Sequence, residues 1–305
     1  MSSLTVAERL RALSSHLASA EQKVARALFS SRMIAGLETV ASLAARAKVS
    51  GPTVIRLTAK LGFPKYEEFQ REVRRELEAQ RQSPLSMYPA NRNRPGGTLG
   101  KHAEVFTSGI RDTFDRLSTG DLSNVVGSIC DTRRTLFLAG GRVSQLAAQM
   151  LFVHLFQMRP AVRMIQTGLQ PRGDQLLEVN RSSTVIMFDF RRYQADSVNF
   201  SKAAKEQGAE LILVTDPWQS PIADFADHVL VADVTSPSAY DSLVPTFALI
   251  EAIITDVLAR LDKKAIAQIE KLEGLRAGFE WNEAGAGNPR KAQQARDGKS
   301  KRSRA

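Results

Sequence analysis

Two short amphipathic helices sharing one tight turn constrain a chain more than its composition does, and residues 43–63, LAARAKVSGPTVIRLTAKLGF, have that pattern. The helical stretches meet at Lys48-Val49-Ser50. The second carries Val54, Leu57 and Leu61 on one face and Thr53, Arg56 and Lys60 on the other. Ser50 suits an N-cap and Pro52 the first turn, where a missing amide is harmless, so Ser50-Gly51-Pro52-Thr53 opens a helix. Small residues at Ala44, Ala45 and Ala47 let the first helix cross close to its neighbour. This is a helix-turn-helix pattern, whose second helix enters a DNA groove. The predicted DNA-binding set is Ser50, Gly51, Thr53, Arg56 and Lys60. Arg56 is placed for a base edge or a phosphate and Lys60 for a phosphate, while Thr53 and the amides of Ser50 and Gly51 form the groove-facing end.

At 305 residues the chain exceeds one ordinary domain, and a 43% hydrophobic content supplies more than one core. The formal charge of +10 is local. Residues 1–90 hold 14 Lys/Arg against 8 Asp/Glu, residues 285–305 hold 7 against 1, and the segment between is near neutral. Basic charge thus sits with the DNA reader and the tail. A lone cysteine, Cys130, excludes an intrachain disulfide and a multi-cysteine zinc site, and with four scattered histidines no metal or cofactor is expected. The sequence shows no signal peptide and no run of about 18 apolar residues, so no membrane partner is expected and the location expected is cytoplasmic.

Residues 4–34 have helical spacing, with Ser19-x-x-Gln22 read as a capping box that starts a second helix. After the recognition helix, Leu61-Gly-Phe-Pro-Lys-Tyr-Glu-Glu-Phe69 stops at Gly62 and restarts behind Pro64, with Tyr66 and Phe69 as apolar anchors. Taken together, VSGPTVIRLTAKLGFPKYEEF resembles the signature of the MurR/RpiR transcriptional regulators, over residues 4 to about 75. The resemblance implies an N-terminal DNA-binding domain, 1–80. Lys48 departs from the usual pattern, standing at a turn where many such motifs carry glycine for a left-handed backbone.

Residues 76–100 shift to Ser, Pro, Asn and Gly, which marks a linker at 81–100. Beyond it, five β-rich runs (135–139, 162–166, 184–188, 210–215 and 228–231) alternate with helical stretches such as 143–158 and 194–207. That alternation predicts an α/β domain over 101–275, with a five-stranded parallel sheet flanked by helices. Ligands of such sheets bind beyond the carboxyl ends of the strands. The loop Gly140-Gly-Arg-Val-Ser144 and the stretch Thr215-Asp-Pro-Trp-Gln-Ser-Pro-Ile222 resemble the sugar isomerase (SIS) domain, a phosphosugar-binding module, over roughly 101–262. The resemblance implies paired domains, hence a homodimer or higher oligomer. Two loops depart from that family. Arg142 replaces a glycine, and Asp189-Phe-Arg-Arg-Tyr-Gln194 replaces a serine-rich phosphate turn.

The predicted effector-binding set is Gly140, Arg142, Ser144, Asp189, Arg191 and Arg192, for a small anionic effector, a sugar phosphate or a carboxylate. Salt bridges from these arginines to Asp189, Asp196 or a subunit partner are the structural alternative. The apolar segment 242–261 is expected to be buried, under the sheet or in a subunit interface, with a more polar helix following to about Leu275. The last stretch, 276–305, reads as a basic disordered tail. The whole reads as an all-α helix-turn-helix domain joined to an SIS-like α/β domain, a regulator of double-stranded DNA at a palindromic operator. The rival is a phosphosugar isomerase, with Glu251, His154 or His228 as the base, but a leading DNA reader has no place in such an enzyme.

Overall fold

A computed structural model describes residues 4–81, 87, 99–166 and 171–277. Most of the expected linker and nearly all of the expected tail lie outside the described residues.

Five helices open the chain: α1 (Val6–Ala12), α2 (Ser19–Ser30), α3 (Val40–Ala47), α4 (Gly51–Lys60) and α5 (Tyr66–Arg81). Thr5 caps α1, its hydroxyl accepting from the Glu8 amide while the Glu8 carboxylate accepts from the Thr5 amide at 2.7 Å. The start of α2 differs from the sequence reading by one residue. Ala18 stands at the cap, and only the carboxylate half of the box forms, from the Ala18 amide to Glu21 at 2.9 Å, because alanine has no oxygen to offer. Leu10, Val24, Leu28, Leu43, Val54, Leu57, Phe69 and Val73 make a fully buried core for these helices. Phe63 meets Phe69 edge-on at 5.8 Å between ring centroids.

The second unit opens with α6 (Leu99–Arg116) and α7 (Thr119–Cys130) and then alternates strand and helix. Its strands are β1 (Thr135–Gly140), β2 (Val162–Met164), β3 (Ser183–Phe188), β4 (Glu210–Thr215) and β5 (His228–Val231), and its helices α8 (Gln145–Met158) and α9 (Ala195–Glu206). They form one parallel sheet in the order β2-β1-β3-β4-β5. Strand side chains alternate between two buried faces. Leu136, Leu138, Ile186, Phe188, Ile212 and Val214 face α7, α8 and α10 (Val244–Leu261), whereas Phe137, Val185, Met187, Leu211 and Leu213 face α9 and the turns around it. The apolar segment near the C-terminus is therefore α10, buried under its own sheet through Leu249, Ile250, Ile253 and Val257. A last helix, α11 (Lys263–Ala277), follows it. Arg159 is fully buried between α8 and β2, its guanidinium donating to the carbonyls of Ile129, Asp131, Arg134 and Pro160. The first three carbonyls run from the last turn of α7 to the residue before β1, so one side chain satisfies a turn that would otherwise bury bare backbone.

Strand order reverses between β1 and β3, since β2 lies outside β1 while β4 and β5 lie outside β3. The loops after these two strands part in opposite directions and leave a crevice at their carboxyl ends. The turn between α3 and α4 is built on Lys48, which closes α3 with φ at 53°. A left-handed lysine costs roughly 1–2 kcal/mol and a glycine's extra freedom in the unfolded chain roughly 0.4–1, so Lys48→Gly is expected to raise stability by about 0.5–1 kcal/mol. The check is the urea midpoint; a lower midpoint would mean that the lysine side chain holds the turn.

Candidate functional site

The recognition helix presents Ser50, Pro52, Ile55, Arg56, Ala59 and Lys60 to solvent. Thr53 differs from the sequence reading. It is 4% exposed, with its hydroxyl 3.0 Å from that of Ser50 and accepting from Arg56 Nη2 at 3.3 Å. The reason is spacing: Thr53 is one position before Val54 and four before Leu57, at the edge of the stripe that faces the core. Ser50 caps α4 by its backbone conformation, without a side-chain bond to a backbone amide. Lys60 is turned back to α2, its ammonium 2.8 Å from the buried Glu21 carboxylate, so it fastens the recognition helix to its support. Arg56 remains exposed, its guanidinium donating to the Thr53 hydroxyl. Lys23, Arg26, Arg46 and Lys48 line an open basic cleft between α2 and α3, a cluster that helical patterning does not reveal because it spans two helices.

At the β1/β3 crevice a cavity of about 180 Å³ is lined by Arg142, Ser144, Asp189, Arg191 and Arg192, with Tyr240 and Asp241 of the loop before α10. Five of the six predicted effector residues thus come together, but their roles separate. Gly140 does not line the cavity. Its carbonyl accepts from Arg172 at 2.7 Å, and a Cβ there would lie 2.6 Å from the Gln145 backbone nitrogen, so glycine serves the close approach of β1 to α8. The Ser144 hydroxyl accepts from the Gly141 amide at 2.8 Å and donates to the Phe188 carbonyl at 2.7 Å, tying the two loops together. Asp189 is 1% exposed, and one of its carboxylate oxygens accepts from the Ser220 hydroxyl at 2.6 Å.

Arg191 is engaged throughout. Its guanidinium pairs with Asp241, donates from Nη1 to the Ala79 carbonyl of α5 at 2.8 Å, and lies over Trp218 at 4.5 Å from the ring centroid. The salt bridge is to Asp241, neither to Asp189 nor to Asp196; the latter pairs with Arg172 instead. Arg142 and Arg192 form no hydrogen bond or ion pair through their guanidinium groups among the described residues. They are the cations open to a ligand. Arg192 holds φ at 61°, a conformation seldom adopted by a long side chain.

Beneath the cavity lies a buried acidic pair. Burial pushes the Asp189 carboxyl up to about 7, against the Ser220 hydrogen bond, and the charge of Asp216 adds to the rise. Burial raises Asp216 to about 6, opposed by hydrogen bonds from Tyr193 and from the amides of Arg191 and Trp218. Asp216 and Gln194, whose side chain accepts from the Arg142 amide at 3.0 Å, were not singled out in the sequence. Asp216 follows an apolar strand directly, which is a usable signal; Asp241 sits in an irregular loop with none. The isomerase candidates His154, His228 and Glu251 do not line the cavity. His154 Nδ1 is bonded to the Met150 carbonyl of its own helix, and His228 faces Glu210 at 3.5 Å.

A helix-turn-helix unit joined to a doubly wound parallel sheet, with an arginine-lined crevice at the strand ends, defines a two-domain class of helix-turn-helix regulators. Known proteins agree. The helix-turn-helix domain of the rpiR family matches residues 4–80 and the SIS domain matches residues 129–256. The chain belongs to the RpiR family of helix-turn-helix transcriptional regulators. An uncharacterized HTH-type transcriptional regulator in the aarA 3' region of Providencia stuartii is 24% identical over 229 residues, covering 74% of this chain and 79% of that one. The sugar isomerase domain of an RpiR transcription factor from Sphaerobacter thermophilus shares the fold at a TM-score of 0.52 and 23% identity, over 56% of this chain and 97% of that one. The Vibrio vulnificus NanR protein, solved with ManNAc-6P, shares it at 0.51 and 14% identity, over 90% of this chain and 99% of that one.

The folded chain holds the Asp189 and Asp216 protons more tightly than the unfolded chain, whose aspartates titrate at the ordinary 3.8. The stability they contribute is full below that value and is lost as pH rises to about 7. Asp189→Asn, which cannot ionise, is expected to show a Tm that exceeds wild type increasingly from pH 4 to 7 and by a constant margin above about 7. Parallel Tm profiles would remove Asp189 from that balance.

Proposed function

We propose that this regulator reads duplex DNA through α4 and is switched by a small anionic metabolite, a sugar phosphate or carboxylate, bound over the loops after β1 and β3. The observation that carries this reading is Arg191. It lies in the cavity wall and holds the last turn of α5 through Ala79, so a ligand that competes for its fork alters how the reader is seated. Binding energy reaches the DNA only through such a difference between two arrangements. Arg142 and Arg192 supply charge for the ligand, and the phosphosugar held by NanR makes sugar phosphates the first class to test.

Pairing of two chains over a palindromic operator is part of the proposal. Leu146, Val153 and Phe156 of α8, with Val143 just before it, expose apolar side chains suited to a second copy. A regulatory role is favoured over catalysis because the carboxyls at the cavity are occupied: Asp189 by Ser220 and Asp241 by Arg191.

Arg56→Ala is expected to weaken binding to operators selected from random duplexes by about 1–3 kcal/mol and to relax one base position. A gel-shift titration with unchanged affinity and preference would take Arg56 out of base reading. In a thermal-shift series, N-acetylmannosamine 6-phosphate or citrate is expected to raise the Tm of wild type, and the gain to vanish in Arg142→Ala with Arg192→Ala. Stabilisation that persists in the double variant would place the ligand elsewhere.

A further inference from the structure

A second cavity, of about 390 Å³, opens between the helical unit and the α/β unit. It is about twice the size of the crevice at β1 and β3 and within the usual range for small-molecule sites. One wall comes from α1, α2, the turn after it and α5; the other comes from the loops after β3 and β4. Phe29, Leu77 and Trp218 give it an apolar floor, and Arg11, Arg32 and Arg192 give it a cationic rim.

The rim is under-satisfied. Arg11 Nη1 is buried without a hydrogen-bond partner, and Nη2 is 3.9 Å from Asp224, too far for a hydrogen bond. Its guanidinium stacks on Phe29 at 5.1 Å and makes no hydrogen bond among the described residues. In the opposite wall Gln219 is buried with Oε1 unpartnered. Burial of a polar atom without a partner costs roughly 1–3 kcal/mol, so Arg11 Nη1 offers a carboxylate an unused donor at the edge of the cavity, while Gln219 Oε1 offers an acceptor. Asp224 and Glu76 oppose the cations, and Glu76 is already engaged by the Val6 amide at 2.9 Å. Three cations outnumber these two carboxyls even with both ionised. The backbone is also forced here. Arg32, Met33, Arg192 and Gln219 all hold positive φ, between 49° and 66°, and all four line this cavity.

We propose that this cleft is a second effector site, for an aromatic monocarboxylate whose ring rests on the Phe29–Leu77–Trp218 floor and whose carboxylate meets Arg11 and Arg32. Such a ligand touches both units at once and fixes the angle between them. Arg192 lines both cavities, so the carboxylate is assigned to Arg11 and Arg32 alone, which do not line the β1/β3 crevice.

Trp218 makes the test direct. The chain has two tryptophans, so Trp281→Phe leaves Trp218 as the reporter. In the full chain with that background, phenylacetate is expected to change Trp218 emission saturably below about 10 mM, the range open to fragment-sized ligands. Arg32→Gln, at an exposed position, should weaken the midpoint at least tenfold with an unchanged circular dichroism spectrum. Arg142→Ala should leave the midpoint unchanged, and inorganic phosphate should not compete. An unsaturable response, an equal midpoint in Arg32→Gln, a shift in Arg142→Ala or competition by phosphate would each overturn the proposal. A shift in Arg142→Ala or competition by phosphate would place phenylacetate in the β1/β3 crevice, whereas an unsaturable response or an equal midpoint in Arg32→Gln leaves the reading of that crevice untouched.

Discussion

The arrangement of the two units turns on the Arg191 guanidinium. Besides the Met87 sulfur, at 3.5 Å, it meets a carboxylate before α10, an indole after β4, and a carbonyl in the last turn of α5. Each asks for a different property of the same group. The carboxylate uses the planar fork, the indole uses the weakly hydrated face, and the helix end, with its unpaired carbonyls, uses the charge. A lysine offers only the last of these. The 5% exposure of this side chain keeps water from screening the set, so the seat of the DNA reader depends on a group in the wall of the crevice.

Arg191 can hold that position because the loop carrying it is fixed from below. Asp216 collects the amides of Arg191, Trp218 and Gln219 and the Tyr193 hydroxyl, so the loops after β3 and β4 share one buried carboxylate. Asp189 does the same for Ser220, while the Thr215 hydroxyl closes on its carbonyl at 2.6 Å. Two acids at strand ends thus shape the loops, and the arginines beyond them provide the charge.

How legible each part was follows from how local its cause is. The recognition helix and the five strands are set by apolar spacing within a few residues, and the strands at 210–215 and 228–231 fall where the pattern puts them. The loops after β1 and β3 were readable as a crevice because strand alternation implies a parallel sheet. Which side chains stay free in that crevice was not readable. The partner of Arg191 lies fifty positions away in an irregular loop, Lys60 finds Glu21 across a helix pair, and Thr53 is buried by one step of helical rotation. The capping of α2 shifted for a smaller reason, since Ser19 and Ala18 differ by one residue and a carboxylate can serve the cap alone.

The buried Thr53 hydroxyl has a consequence for reading DNA. A free arginine samples many rotamers, and ordering it on a base edge costs roughly 0.5–1.5 kcal/mol. Arg56 starts with one end already leaning on Thr53, which is itself locked against Ser50. Under the proposed reading, in which Arg56 of α4 meets DNA, the side chain therefore arrives at the groove partly aimed. Such an arm favours the partner that lies along its preset direction and gains less from phosphates approached at other angles, so rigidity in the support becomes selectivity at the tip.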